Sequence, residues 1–568
     1  MPPSDANSPA PQDNEQPSEA PRRRIVFPWV WLIVLLALRL ALQAADVTSD
    51  FKALATIAAV FFGVVGVCLW YAIRGRGPVV LRLLVAAAPF AGVYGMSSLY
   101  EFEHNGSGAI VGLHRRGDSK QHEKIESLET ATPAEGLTDW APGDYDYPRF
   151  LGSGPWAEAN GPALAANWET NPPQELWRRP IGAGWSAFAV YGPYAITQEQ
   201  RGGEELVVCY RAETGEPVWS HSDPAQYTTA NFAGEMGRLG PRATPTIVGD
   251  RVYTQGAGGL INCFNALNGE VIWRVDSTEA FGVVVPIWGK SGSPLFIASE
   301  NEADPDLIVV NIGAPLESTE GAHDASIVAF DAESGEVVWK TGWRQTSYSS
   351  PQLVTLADKK VILQTSDEVL TGHDARTGEQ LLEHPWSGTS DNSPSCSQPL
   401  QVGQDLLLLT KGYGHGASLL KVASQDGGLS AEPLWSPAIR PVLQTKYSNA
   451  VVRDGHAYGL NGEVLQCVNI ESGKVVWKKR RRPSFGYGQL MLTGGYLLVM
   501  SEQGEVILAD ASHEGRYKER GSLQALDENE ICWNNPVLCG DLLLVRNAAE
   551  AAAYRLPLAE TGEAVAAR

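Results

Sequence analysis

No two of the seven cysteines are adjacent, none are spaced Cys-x-x-Cys, and no Cys-x-x-Cys-His occurs. Without those spacings there is no thiolate pair for a compact metal site and no covalent haem attachment. Cationic residues are also scarce. The 44 Lys and Arg against 65 Asp and Glu give a formal net charge of −21, which repels nucleic-acid phosphates and excludes a basic binding stripe, so nucleic acid is not an expected partner. Charged residues make up only 19% of the sequence and hydrophobic ones 44%, so global disorder is excluded as well. What the sequence has in quantity is turn formers and indoles, with 58 Gly and 17 Trp.

Those residues fall into a repeat. Ala329-Phe-Asp-Ala-Glu-Ser-Gly335-Glu-Val-Val-Trp339 is its clearest copy, and Cys209–Trp219, Cys263–Trp273 and Cys467–Trp477 follow the same pattern. The copy from His373 to Leu382 has lost its tryptophan. Each copy reads as strand, tight Thr/Ser/Asn-Gly turn, strand, and a unit recurring every ~40 to 65 residues points to a propeller or solenoid. Cys209, Cys263 and Cys467 share one repeat position and read as small buried apolar side chains rather than disulfide or metal partners.

Ahead of the repeats, residues 1–24 are too polar to build a core and are expected to form a disordered cytoplasmic tail. Three apolar runs follow, 25–45, 51–73 and 78–100, each about the ~20 residues that span a bilayer. Arg22 to Arg24, and Arg74, Arg76 and Arg82, belong on the cytoplasmic side by the positive-inside rule. Everything after Tyr100 is then expected outside the cytoplasm, as a periplasmic body on a multi-pass inner-membrane anchor. Arg39 inside the first run reads as a snorkelling side chain or a functional charge. Residues 101–174 read as a polar tether turning into a packing segment, 175–558 as the propeller and 559–568 as a tail.

A second signature sits at the other end of each repeat, a small polar residue before Pro or an apolar substitute. It occurs at Ala187, Thr244, Ser293, Ser350, Gln398, Asn449, Gln489 and Asn535. Strand ends are read at Trp177, Trp219, Trp273, Trp339, Leu382, Trp435, Trp477 and near Tyr517. Eight starts offset by one from eight ends predict an all-β, eight-bladed propeller closed by pairing of the N- and C-terminal strands, with the tryptophans as structural clamps between blades.

The Ala-x-Asp-x-x-Ser/Thr-Gly-x-x-x-Trp pattern resembles the tryptophan-docking repeat of the pyrroloquinoline quinone (PQQ)-like β-propeller superfamily over roughly residues 175–558. That resemblance implies one of two kinds of function. Propeller lipoproteins of the outer-membrane β-barrel assembly machinery bind partner proteins without a cofactor; quinoprotein alcohol and sugar dehydrogenases hold PQQ and calcium on the propeller axis. Axial candidates are Glu199, Arg201, Arg242, Lys290, Asp391, Asn392, Lys446, Asn449, Trp533, Asn534 and Asn535. In a quinone site Trp533 would be the stacking floor, Glu199, Asn534 or Asn535 the calcium ligands, Arg242 or Lys290 the polarising cation, and Asp391 the base. The alternatives are that these groups hydrate a narrow funnel and pin strand heads, or receive a small molecule or peptide. The sequence has no vicinal cysteine pair of the alcohol-dehydrogenase type and no lid insertion. The expected function is therefore a membrane-anchored scaffold for envelope proteins, with no metal and no catalytic residue assigned, and a PQQ-dependent dehydrogenase is the alternative. Lys478-Lys-Arg-Arg-Arg482 reads as a solvated loop or as an attraction for acidic partners or anionic lipid.

Overall fold

The computed structural model describes residues 30–38 apart from 32, then 49–104, 110–115, 128, and 137–559 apart from 155, 228–238, 321–323, 367, 388–393 and 437–440. It divides into two compact units, 1–99 and 100–568. In the first, α1 (Ser49–Arg74) and α2 (Val79–Leu99) are both long and apolar enough to cross a membrane. Most of the first expected span, including Arg39, lies outside the described residues, as do the 1–24 tail and residues 560–568. Two apolar helices, not three, are thus described.

The second unit carries eight four-stranded blades. Blades one to seven run over 189–223, 246–276, 295–341, 352–385, 400–435, 451–479 and 489–524, each an antiparallel meander. The eighth sheet takes three strands from 537–555 and its outermost strand from Gln174–Pro180, paired antiparallel with Glu550–Arg555.

The repeat makes its own turn. Asp331 Oδ1 accepts the backbone N–H groups of Glu333 and Ser334, both at 2.8 Å, and Gly335 then takes a φ of 75° that a β-carbon would resist. The following strand enters with a one-residue bulge, and this bulge sits at the same register in all eight blades. It comes immediately after the facing pairs Cys209/Trp219, Cys263/Trp273, Ala329/Trp339, Gly372/Leu382, Leu419/Trp435, Cys467/Trp477, Leu508/Gly521 and Ala553/Trp177. The three repeat cysteines are buried free thiols opposite indoles.

Each tryptophan reaches the turn of the next blade. Trp219 Nε1 donates to the Ala266 carbonyl at 2.8 Å and its ring covers Gly269, where a β-carbon would lie 2.6 Å from the indole. Trp177, Trp273 and Trp435 do the same on Ala212/Gly215, Ala332/Gly335 and Ile470/Gly473, and Trp477 donates to Ser512. Trp339 covers Gly378, but its Nε1 has no hydrogen-bond partner.

This dependence explains the missing indoles. Blade five replaces the Asp-x-x-Ser-Gly turn with a hairpin at Asp426-Gly427, and blade four ends in Leu382. In blade eight the corresponding turn is replaced by the break between Arg555 and Gln174, and blade seven carries Gly521 at the docking register. The strand end expected near Tyr517 is therefore Glu519–Gln524, and Trp168, from the stretch before blade eight's outermost strand, packs over Gly521.

That same N-terminal stretch crosses the axis. Tyr147 bridges Val190 on the inner strand of blade one, the Pro148 carbonyl accepts from Ile247 on that of blade two, and Glu158–Ala159 adds a parallel strand to that of blade seven.

Truncating a large buried aromatic costs ~3 to 5 kcal/mol. Trp219→Phe and Trp339→Phe remove similar ring area, but only the first strips a carbonyl of its indole donor, a loss of ~1 kcal/mol or more. Thermal melts of the two variants should show the larger fall for Trp219→Phe; equal falls would remove the hydrogen bond from the docking energetics.

Candidate functional site

The small polar residues at the heads of the inner strands form a belt. The backbone N–H of Ala187 donates to Thr244 Oγ1 at 3.2 Å, that of Thr244 to Ser293 Oγ at 2.9 Å, and that of Ser293 to Ser350 Oγ at 2.9 Å. Ser350 N–H continues to Gln398 Oε1 at 3.1 Å, and Gln398 N–H to Asn449 Oδ1 at 2.7 Å. The remaining seams use different wiring. Gln489 Nε2 donates to the Tyr447 and Trp533 carbonyls at 2.8 and 2.9 Å, and Asn534 Nδ2 to those of Gly184 and Ser186 at 3.2 and 2.9 Å. Asn449 and Asn534 thus tie neighbouring blades together.

Two residues before each belt position stands a different side chain: Trp185, Arg242, Ser291, Tyr348, Cys396, Tyr447, Tyr487 and Trp533. Seven of these eight, all but Tyr487, line an axial pocket of ≈ 170 Å³ together with Phe150, Trp288, Tyr413, Asn449 and Asn535. Phe150 comes from the N-terminal stretch that crosses the axis, so the pocket has protein on its far side. The aromatic rings contact one another. Trp533 lies 4.9 Å from Trp185 and 4.7 Å from Tyr447 between ring centroids, and Trp288 lies 5.6 Å from Tyr348. Buried Glu502 accepts from Trp533 Nε1 at 2.8 Å and from the Tyr487 N–H at 3.4 Å, which fixes the orientation of the Trp533 ring. Gly486, at a φ of 57°, makes room for Glu502: a β-carbon there would fall 2.5 Å from its side chain.

One cation, Arg242, lines this wall, and a second, Lys446, packs against its tyrosines. Arg242 sits over the Tyr227 ring at 4.7 Å and donates to the Gly240 carbonyl; burial pulls its guanidinium down to about 10, which leaves it charged at neutral pH. The Lys446 ammonium is 4.9, 5.1 and 4.8 Å from the rings of Tyr413, Tyr447 and Tyr487.

The other sequence candidates are placed elsewhere. Glu199 and Arg201 form a buried pair at 3.1 Å, with Glu199 also accepting from Tyr210 Oη at 2.8 Å and from the Gly182 N–H. Arg546 of blade eight, buried beside them, donates to Thr197 Oγ1 at 2.8 Å and to the Gln198 and Gly182 carbonyls, locking the seam between blades eight and one. Lys290 is buried and directs its ammonium at the Val284 and Ile312 carbonyls, and burial lowers it to about 8. Neither Glu199, Arg201, Lys290 nor Asn534 lines the pocket, whereas Arg242, Asn449, Trp533 and Asn535 do. Asp391 and Asn392 lie outside the described residues. In the basic run, Arg481 is held by Glu505 and by Glu519, so that loop has less uncompensated positive charge than its sequence suggests.

The described lining does not fit a calcium-bound quinone. Calcium takes 6 to 8 oxygen ligands with carboxylates among them, and no carboxylate lines the pocket. No group of three or more potential metal ligands occurs among the described residues. The expected ligand Glu199 is committed to Arg201 and Tyr210.

A family model described as outer membrane protein assembly factor BamB matches residues 168–300 and 318–520. A BamB from Burkholderia pseudomallei (strain K96243) is 23% identical over 348 residues, spanning 57% of this chain and 85% of that protein. Among solved structures, quinohemoprotein alcohol dehydrogenase from Comamonas testosteroni aligns with a TM-score of 0.50 at 10% identity, covering 73% of this chain and 82% of that one. BamB from Moraxella catarrhalis aligns with a TM-score of 0.44 at 13% identity, covering 68% and 100%. At such identities the structural likeness bears on the fold alone.

Glu205 provides a pH handle near this wall. It is buried and faces Asp223 across the strand pair, and burial pushes its carboxyl up to about 7 although Arg242 acts in the opposite direction. Its folded value lies above its unfolded one, so the folded state holds the extra proton between them. This group's contribution to stability therefore falls as pH rises from about 4.5 to 7, by ~3 kcal/mol in all. Glu205→Gln should flatten that slope and raise the melting temperature at pH 8 more than at pH 5; a parallel shift at both pH values would contradict the assignment.

Proposed function

Since the protein belongs to the family of outer membrane protein assembly factor BamB, we propose that it acts as a protein-binding scaffold of the bacterial cell envelope, with its propeller outside the cytoplasm on a multi-pass inner-membrane anchor. The family match over the blades carries the reading. The anchor is supported by α1 and α2, and the orientation by Arg74, Arg76 and Arg82, which cluster where the two helices meet and favour the cytoplasmic side. A short loop held inside sends the segment after α2 outward, whatever precedes α1. Joining Gln174–Pro180 to Glu550–Arg555 in one sheet gives the body no open seam, as a rigid platform for partners requires.

The dehydrogenase alternative finds less support, because the pocket wall supplies aromatic rings and one arginine but neither a described base nor a cation-binding carboxylate. Two measurements test the proposal. A periplasm-dependent reporter fused after Arg568 should be active and the same reporter placed within residues 75–78 inactive; the reverse pattern would place the propeller inside. Micromolar PQQ with calcium should leave the purified full-length protein without cofactor absorbance or alcohol-dependent dye reduction, and turnover would restore the enzyme reading.

A further inference from the structure

We infer that the axial pocket is a binding site for a single uncharged aromatic ring carrying an acceptor oxygen, the chemistry of a tyrosine side chain or of a free phenol. The inference rests on the reading of the propeller as a binding body, but on neither its location nor its protein partners.

Size selects one ring. A cavity of ~150 Å³ lined by apolar side chains holds one benzene, and drug-sized ligands occupy ~300 to 1,000 Å³. At ≈ 170 Å³ the pocket admits a phenyl group or slightly more. The walls select aromaticity, because Trp185, Trp533, Tyr447 and Tyr348 supply the ring faces and edges on which offset and edge-to-face packing is favourable.

Hydrogen bonding selects an acceptor, because the belt uses side-chain oxygens and leaves side-chain hydrogens. Ser293 and Ser350 accept the Thr244 and Ser293 N–H groups on Oγ, both at 2.9 Å, and Asn449 accepts that of Gln398 on Oδ1 at 2.7 Å. These three residues line the pocket and are only 4, 3 and 5% exposed. Among the described residues, the Ser293 and Ser350 hydroxyl hydrogens and the Asn449 Nδ2 group have no acceptor. Buried donors are ordinarily paired, and a ligand oxygen would pair these. Asn535, also in the lining, makes no hydrogen bond among the described residues and adds a carboxamide oxygen for a phenolic proton.

Charge selects a neutral ring. Arg242 is the one charged residue of the described lining, and Glu205 lies within electrostatic reach of it. Behind the rings, Lys446 packs on Tyr447, and Glu502 holds Trp533, which contacts Tyr447. A ligand charge of either sign would give up its hydration and face a like charge as well as an opposite one, whereas a neutral ring gives up little.

The full-length protein in detergent is titrated by calorimetry with millimolar N-acetyl-tyrosinamide and 4-methylphenol, and with their counterparts lacking the hydroxyl, N-acetyl-phenylalaninamide and toluene. At least one phenol should bind saturably, and its counterpart ~fivefold more weakly for the lost hydrogen bond. The tighter of the two phenols assigns the source, a polypeptide tyrosine or a free phenol. The anion 4-hydroxyphenylacetate and the cation tyramine should both bind more weakly than the better neutral phenol. Cys396 lines the pocket, so Cys396→Phe puts a ring of the protein's own there and should abolish binding. Ser350→Ala should reduce the preference for the hydroxylated ring and Ser350→Thr should retain it. Should a variant not melt cooperatively, the ligand series on the unsubstituted protein decides alone. No saturable binding of either phenol, equal affinity with and without the hydroxyl, tighter binding of the anion or the cation, or unchanged binding by a folded Cys396→Phe variant overturns the inference. The reporter fusions and the cofactor measurement do not depend on these titrations, so the scaffold proposal and the phenol site can fail separately.

Discussion

An indole from one sheet landing on a glycine of the next holds this ring together, and much of its local sequence follows from that contact. The glycine must lack a β-carbon to accept the ring, so it must occupy a turn that tolerates positive φ, and in blades two, three, four and six an Asp or Asn side chain folds that turn. The bulge opposite each indole sets the strand direction that lets it reach across. The rule also runs in reverse. Blade four has no tryptophan because blade five has no turn to receive one, and blade seven has none because the backbone breaks where blade eight's turn would be. Departures from the repeat are thus set by the neighbour's geometry.

On the other side of the blades a similar division separates structure from chemistry. Backbone polar groups at the strand heads have to be satisfied around the whole axis, and the belt of Thr, Ser, Gln and Asn side chains does so. Because those residues face their neighbours, the positions two residues earlier are released from structural duty and vary from blade to blade. The aromatic wall is built there. A rigid belt directly beside the wall also limits how far the rings can move, which suits selection by shape more than adaptation.

Much of the fold was legible because repetition amplifies weak signals. A single Ser-Gly before Val-Val-Trp339 is only a turn; recurring at Thr214-Gly, Asn268-Gly and Ser472-Gly it fixes a blade. The candidate site was less legible for a physical reason. Side chains such as Glu199, Arg201 and Lys290 look like ligand groups in a linear sequence, yet a charged group between packed sheets first needs a partner, and each has found one within the protein. Arg242 and Trp533 were found by proximity to the strand heads, whereas Trp185, Tyr348 and Tyr447 were missed. Aligning the eight heads and reading two residues upstream would have exposed them, since only there do aromatics recur without the repeat requiring them.

The stretch that crosses the axis also orders events in time. Tyr147, Glu158 and Trp168 leave the ribosome before any blade, but their contacts include Leu492 and Gly521, and Gln174–Pro180 pairs with Glu550–Arg555. Contacts separated by more than three hundred residues in sequence form late and slowly. Until the last blade is made, the nascent body is an arc with a bare edge at each end. Its completion is therefore a single terminal event, and a product truncated within blade eight would keep the early stretch's contacts to blade seven but lose the partner of the outermost strand.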